Sequence, residues 1–213
     1  MFDLLYKEWR LAVHPVVYIF VLIGALVLVP AYPYGMIFFF GCLALYFTSL
    51  YARESCDIFY TTSLPISKRH VVKGKCLLFV SIQLLQLVIC LPFALLRPLL
   101  LPQGNPVGIE ANVAFFGFGL IAYALFNFTF LTLLFKSVYQ VGKAFLIAIL
   151  PAGAVIFTME CLVHLPSFAW LDGIQPGDLV RQLPLLAAGI LVYIAGNLLA
   201  YRTASRAFAH ADL

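Results

Sequence analysis

Six separate runs of about twenty apolar residues, at 11–29, 34–51, 76–96, 113–135, 144–163 and 183–201, leave this chain essentially one class of fold. A helix needs about 20 apolar residues to cross the hydrocarbon core of a bilayer. Inside that core every backbone N–H and C=O must be paired within the chain, so only helices or a closed barrel can span it. The runs are continuous rather than alternating, which selects helices. Composition agrees, with 64% hydrophobic and 10% charged residues against roughly a quarter charged in soluble domains. Six spans with short connections use up all 213 residues. The expected fold is therefore an all-α integral membrane protein with a single transmembrane domain over 1–213.

Charge sets the expected topology. Lys and Arg total thirteen: Lys7 and Arg10 before the first span, five in the loop 52–75, Lys136 and Lys143 between the fourth and fifth spans, and Arg202 and Arg206 in the tail. Only Arg97 and Arg181 fall on the other side. Basic residues accumulate in cytoplasmic loops, so eleven against two predicts a multi-pass protein with both termini cytoplasmic. An odd number of spans would scramble this partition. The opening residues lack the basic, apolar and small-residue succession of a cleaved leader, so the first span is expected to be retained.

Residues 1–14 carry a two-sided pattern. Phe2, Leu5, Tyr6, Trp9, Ala12 and Val13 share one helical face, and Asp3, Lys7, Arg10 and His14 share the other. This predicts an amphipathic helix lying on membrane lipid, in which Phe2, Leu5, Lys7, Trp9 and Arg10 meet the interface. A plain polar cap on the first span is the simpler alternative. On the outer side, 164–182 contains Leu-Pro-Ser-Phe-Ala-Trp-Leu, apolar enough either to re-enter the bilayer or to lie on its surface.

Chemistry at depth is sparse. Glu160 is the one acidic residue within an expected span. A position near the outer interface, with water or His164 as its partner, suits it better than a gate. No HExxH, GxSxG or paired-acid motif accompanies it, the four histidines do not cluster, and neither a catalytic set nor a metal site is expected. Five cysteines without CxxC spacing read as packing residues. Gln83 and Gln86 share a face of the third span, and Asn127 and Asn197 add polar groups to the fourth and sixth. Interhelical hydrogen bonding is their more economical role. The functional alternative is a translocation path formed by Gln83, Gln86, Tyr123, Asn127, Asn197 and Glu160. The lack of buried charge argues against a proton-driven carrier and fits a passive channel former or a pump energised from outside the chain.

The loop 52–75 is different in kind. Its apolar residues Ile58, Phe59, Leu64 and Ile66 have no reason to be displayed on a free connector and suggest docking on a protein partner. Pro65 breaks the backbone, and Ser67 is placed to cap a helix starting at Lys68.

From Asp57 onward the loop reads Ser63-Leu64-Pro65-Ile66-Ser67-Lys68-Arg69-His70-Val71-Val72-Lys73-Gly74-Lys75, and the chain opens with Leu4-Leu5-Tyr6-Lys7-Glu8-Trp9-Arg10. Both stretches resemble the ABC-2 type permeases of bacterial ABC transporters, which often carry an acidic residue followed by S-L-P-[IV]-S-[RK] between spans two and three and an L-x-x-K-E-W opening. The resemblance implies an exporter half for an amphipathic peptide, lipid or drug-like molecule. In it, Asp57, Ser63, Leu64, Pro65, Ile66, Ser67, Lys68, Arg69, Lys73 and Lys75 form a coupling loop. Leu64, Pro65 and Ile66 would enter a cleft of an ATPase subunit, and the basic residues would meet acidic or lipid surfaces. The chain has no GxxxxGK[ST], so it is expected to be no enzyme itself and to hold no cofactor, with ATP and Mg bound by the partner. Two ATPase copies and a second permease chain, identical or a close paralogue, complete the expected assembly; no nucleic acid enters it. A substrate-capturing subunit of an energy-coupling-factor importer is the competing reading.

Overall fold

The first apolar run does not form one straight helix. In the computed structural model, which describes residues 2–137 and 140–210, helix α1 (Phe2–Lys7) passes into a π-turn over Glu8–Ala12, and α2 (Val16–Leu22) starts afresh after His14-Pro15. Proline has no N–H and its ring clashes with the preceding turn, so a helix cannot run through it undisturbed. The His14 Nδ1 accepts the Val16 N–H at 3.1 Å and secures the new start. The pieces Leu4–Ala12 and Val16–Leu28 meet at 98°. After α2 the chain tightens into a 3-10 stretch, Ile23–Leu28, so 16–28 rises roughly 22 Å, less than the ~30 Å hydrocarbon core.

Six further α-helices complete the framework among the described residues: α3 (Met36–Glu54), the short α4 (Asp57–Ser63), α5 (Lys68–Leu100), α6 (Val113–Lys136), α7 (Val141–Leu162) and α8 (Pro176–Ala209). Of the described helices, five are long and apolar enough to cross a membrane, and six if the bent N-terminal pair counts as one span. Two of them outrun their apolar runs. The helix α5 begins at Lys68 instead of 76, and α8 begins at Pro176 instead of 183, with proline in the first turn where its missing N–H costs nothing. The segment 164–182 is consequently a 3-10 turn, Pro166–Leu171, followed by the first turns of α8.

Packing centres on α6. Its backbone approaches α8 closely at glycines: a Cβ on Gly189 would lie within 3.0 Å of the Gly117 Cα, and one on Gly196 within 2.9 Å of the Ala124 Cβ. Small residues of this kind let membrane helices meet backbone to backbone, which dispersion forces reward where no hydrophobic drive exists. On its other sides α6 meets an aromatic core, in which Phe38 and Phe115 have ring centroids 4.5 Å apart and Phe126 and Phe130 5.1 Å. Leu150, Phe157 and Leu191, all about 70% exposed, point away from the bundle, as lipid-facing residues do.

The helix ends gather at two poles. At one, Lys68 Nζ stands 5.4 Å over the Phe208 ring and Phe135 packs edge-on to Phe208 at 5.0 Å, joining the start of α5 to the ends of α6 and α8. Eleven of the thirteen Lys and Arg belong to segments converging on this basic pole. The opposite pole holds Tyr34, Arg97, Glu110, Glu160 and Asp172.

Candidate functional site

Cys56 takes a left-handed conformation, φ 52°, and turns the chain sharply from α3 into α4. The hydroxyls of Thr61, Thr62 and Ser63 donate to carbonyls three or four residues back at 2.6 to 3.0 Å, which competes with helix continuation and ends α4. Leu64-Pro65-Ile66 then forms a tight turn, closed by the Ile66 N–H on the Leu64 carbonyl at 2.7 Å. Ser67 stands at the N-cap of α5, but its hydroxyl bonds the His70 Nδ1 at 2.7 Å instead of capping a backbone N–H.

The result is a short helix and turn projecting from the basic pole. Phe59 and Tyr60 are 62% and 59% exposed, Leu64 and Ile66 39% and 36%, and Ser63, Pro65, Ser67, Arg69 and Lys73 are exposed around them. Phe59, expected on display, and Tyr60, which was not singled out, broaden the apolar surface beyond the Leu-Pro-Ile turn; Ile58, expected beside them, is buried instead, because the register of α4 turns it inward with Thr61. Lys68 is half-buried beneath the Phe208 ring.

Asp57 and Lys75 were expected on the docking surface, but both are buried and do not belong to it. Lys75 Nζ lies 2.7 Å from Asp57 Oδ2 and 2.5 Å from Glu8 Oε2. Lys7 Nζ pairs with Asp57 Oδ1, with Glu8 Oε1 at 3.1 Å, and donates to Thr61 Oγ1 at 2.6 Å. Two lysines and two carboxylates thus form a neutral ring linking the N-terminal segment, α4 and α5. Burial alone pushes the Asp57 carboxyl up, but Lys75 and Lys7 outweigh it and hold it below the ordinary carboxylate range.

The ring also corrects the expected faces of the N-terminal helix. Lys7, placed by periodicity on the solvent side, turns inward because buried Asp57 and Glu8 offer it two anionic partners. Tyr6, placed on the apolar side, is exposed and accepts a hydrogen bond from Arg10 at 2.6 Å. Leu5 packs on the core, and Trp9 does so too, its indole N–H donating to Ser81 Oγ at 3.0 Å. The side chain of Phe2 lies outside the described residues.

The polar residues at mid-bundle come together in hydrogen-bonded groups. Gln83 and Asn127 exchange two amide hydrogen bonds at 2.9 and 2.8 Å, Asn127 also donates to Asn197 at 2.9 Å, and Tyr193 donates to Gln83 at 2.8 Å. Gln86 donates to the Phe20 and Ile37 carbonyls and accepts from Tyr123. Gln83, Gln86, Tyr123 and Asn127 are buried, and their amide and hydroxyl groups are satisfied by one another and by the Phe20 and Ile37 carbonyls. In one chain they fasten α3, α5, α6 and α8 together, as interhelical hydrogen bonds do. Tyr193 was missed, since a tyrosine in an apolar run carries no sign of which neighbour it meets.

At the opposite pole Glu160 does not pair with His164. Its two oxygens accept the backbone N–H of Gly35 at 2.6 Å and of Ile109 at 3.1 Å, while His164 Nε2 bonds the Val107 carbonyl. Arg97, 1% exposed, donates to Tyr34 OH at 2.7 Å and pairs with Glu110 at 3.4 Å. Asp172 accepts the Glu110 N–H at 2.7 Å, and burial raises both the Glu110 and the Asp172 carboxyls. These groups pin 101–112 over the bundle's end. Among the described residues no group of His, Cys, Asp and Glu could hold a metal ion.

The sequence profile of the ABC-2 family transporter proteins matches residues 3–203. This chain belongs to the ABC-2 transporter family. The match spans the bent N-terminal helix, the projecting α4 and nearly all of α8, so the ABC-2 permease is a multi-pass transport protein whose family works with an ABC ATPase. No curated protein and no solved structure matches it.

Proposed function

We propose that this ABC-2 permease is the membrane subunit of an ATP-driven exporter of an amphipathic peptide, lipid or drug-like molecule, energised by a separate ATPase that docks on 52–75. The observation that carries this reading is the exposed apolar surface of Phe59, Tyr60, Leu64 and Ile66, displayed at the basic pole by a helix whose root is ion-paired to two other segments. A free connector would bury or lack such residues. Force applied at α4 would pass through Asp57 to Lys7 and Lys75, and so to the N-terminal helix and α5 together. Lys73 and Arg69 flank the apolar surface and suit an acidic rim on the ATPase, which supplies ATP and Mg.

The interior of one chain is closed by its own hydrogen bonds, which favours a path between two permease copies served by two ATPases. Cytoplasmic placement of the basic pole follows from its eleven Lys and Arg. Replacing Leu64, Pro65 and Ile66 by Ser-Gly-Ser is expected to leave the permease inserted and folded while abolishing copurification with its ATPase and substrate-stimulated hydrolysis. Unchanged pull-down and turnover would refute docking at this loop.

A further inference from the structure

Where α6 ends and α7 begins, at the basic pole, a cavity of about 240 Å³ opens between the two helices, lined by Leu133, Lys136, Ser137, Gln140, Lys143 and Ala144, with Ile147 below. Its lining is divided. Lys136, Ser137, Gln140 and Lys143 surround the mouth; Leu133, Ala144 and Ile147 form the apolar wall. No acidic side chain lines it, and neither lysine has an ion-pair partner among the described residues. Gln140 heads α7 without any side-chain cap on the first N–H groups, so the positive end of a 22-residue helix faces the same mouth.

From these features we propose that this cavity binds the phosphate headgroup of an anionic membrane lipid, with an acyl chain descending along α7. Two unpaired ammonium groups, a hydroxyl, an amide and a helix N-terminus together supply charge and donors for a phosphate. Free phosphate would need only the mouth. The apolar wall continues from Ile147 to Leu146 and Leu150, which are 66% and 70% exposed along the outside of α7, and that continuity selects a lipid. A polybasic mouth at the end of membrane-spanning helices is where an anionic leaflet is met. The lipid would brace the end of α6 and the start of α7 against the bilayer, a function separate from ATPase docking on α4.

Native mass spectrometry of the full-length permease released from detergent, titrated with phosphatidylglycerol or phosphatidylcholine, tests this. The wild type should retain phosphatidylglycerol preferentially, and K136Q/K143Q should lose that preference by on the order of thirtyfold. K136R/K143R should keep it, as should R202Q/R206Q, which removes two charges of the same pole away from the cavity. Millimolar inorganic phosphate should not displace the lipid. Equal retention of the two lipids, an undiminished preference in K136Q/K143Q, its loss in R202Q/R206Q, or displacement by phosphate would each overturn the proposal.

Discussion

Lys75 Nζ sits 2.7 Å from Asp57 Oδ2, joining α5 to the first turn of α4 eighteen residues earlier. Both groups are almost fully buried, and each is balanced a second time, by Glu8 and by Lys7.

Removing one member of a buried pair leaves a charge without compensation, which costs about 3 kcal/mol or more. Lys75→Met and Asp57→Asn should each lower the melting temperature of the purified permease markedly. The double variant, which removes one charge of each sign, should recover part of the loss. Additive losses would show that the pair does not act as a unit.

Acid should act on the same ring. The folded Asp57 carboxyl titrates below its ordinary value, so the folded chain takes up this proton less readily than the unfolded chain. The stability it supplies is complete above the ordinary value of about 3.9 and drains away as pH falls below that toward the folded value. Melting temperatures measured through this range should fall more steeply for the wild type than for Asp57→Asn.

Asn127 bonds Gln83 on one helix and Asn197 on another. Asn127→Leu strands both amides in the bundle and should cost about 1 to 3 kcal/mol, read as a lower melting temperature. Because these groups face one another, the substrate concentration giving half-maximal ATPase stimulation should stay unchanged in the folded fraction. A shift in it would return them to the substrate path.

Gly189 faces Gly117 with no room for a side chain. Gly189→Val forces α8 off α6 and should destabilise by at least about 2 kcal/mol. Gly153→Val is the matched control: nothing lies within 4 Å of the Cβ it would carry, and its melting temperature should barely move.

Much of this molecule could be read from residue order because a bilayer imposes a one-dimensional code. Five of the six expected spans appear as helices that match their apolar runs to within two residues or outrun them, since hydrocarbon leaves a 20-residue apolar segment almost no other conformation. The first run was harder. Its apolar content predicted a span over 11–29, but Pro15 and the 3-10 winding of Ile23–Leu28 bend and shorten it. The projecting turn at Leu64-Pro65-Ile66 was also legible, because proline and clustered hydroxyls act locally.

Partnership was not. Helical periodicity put Lys7 on a wet face, and the family resemblance put Asp57 and Lys75 on a docking surface, yet all three close on one another from segments up to 68 residues apart. Glu160 likewise meets backbone N–H groups of two distant turns and not the histidine one helical turn away. Order along the chain determined the membrane class, the number of apolar segments, the asymmetry of charge and the displayed turn, because each depends on local composition. Which charges are buried, and that the mid-bundle amides are fastened to each other, follow from how the helices meet. That depends on distances through space, to which neighbouring residues carry no key.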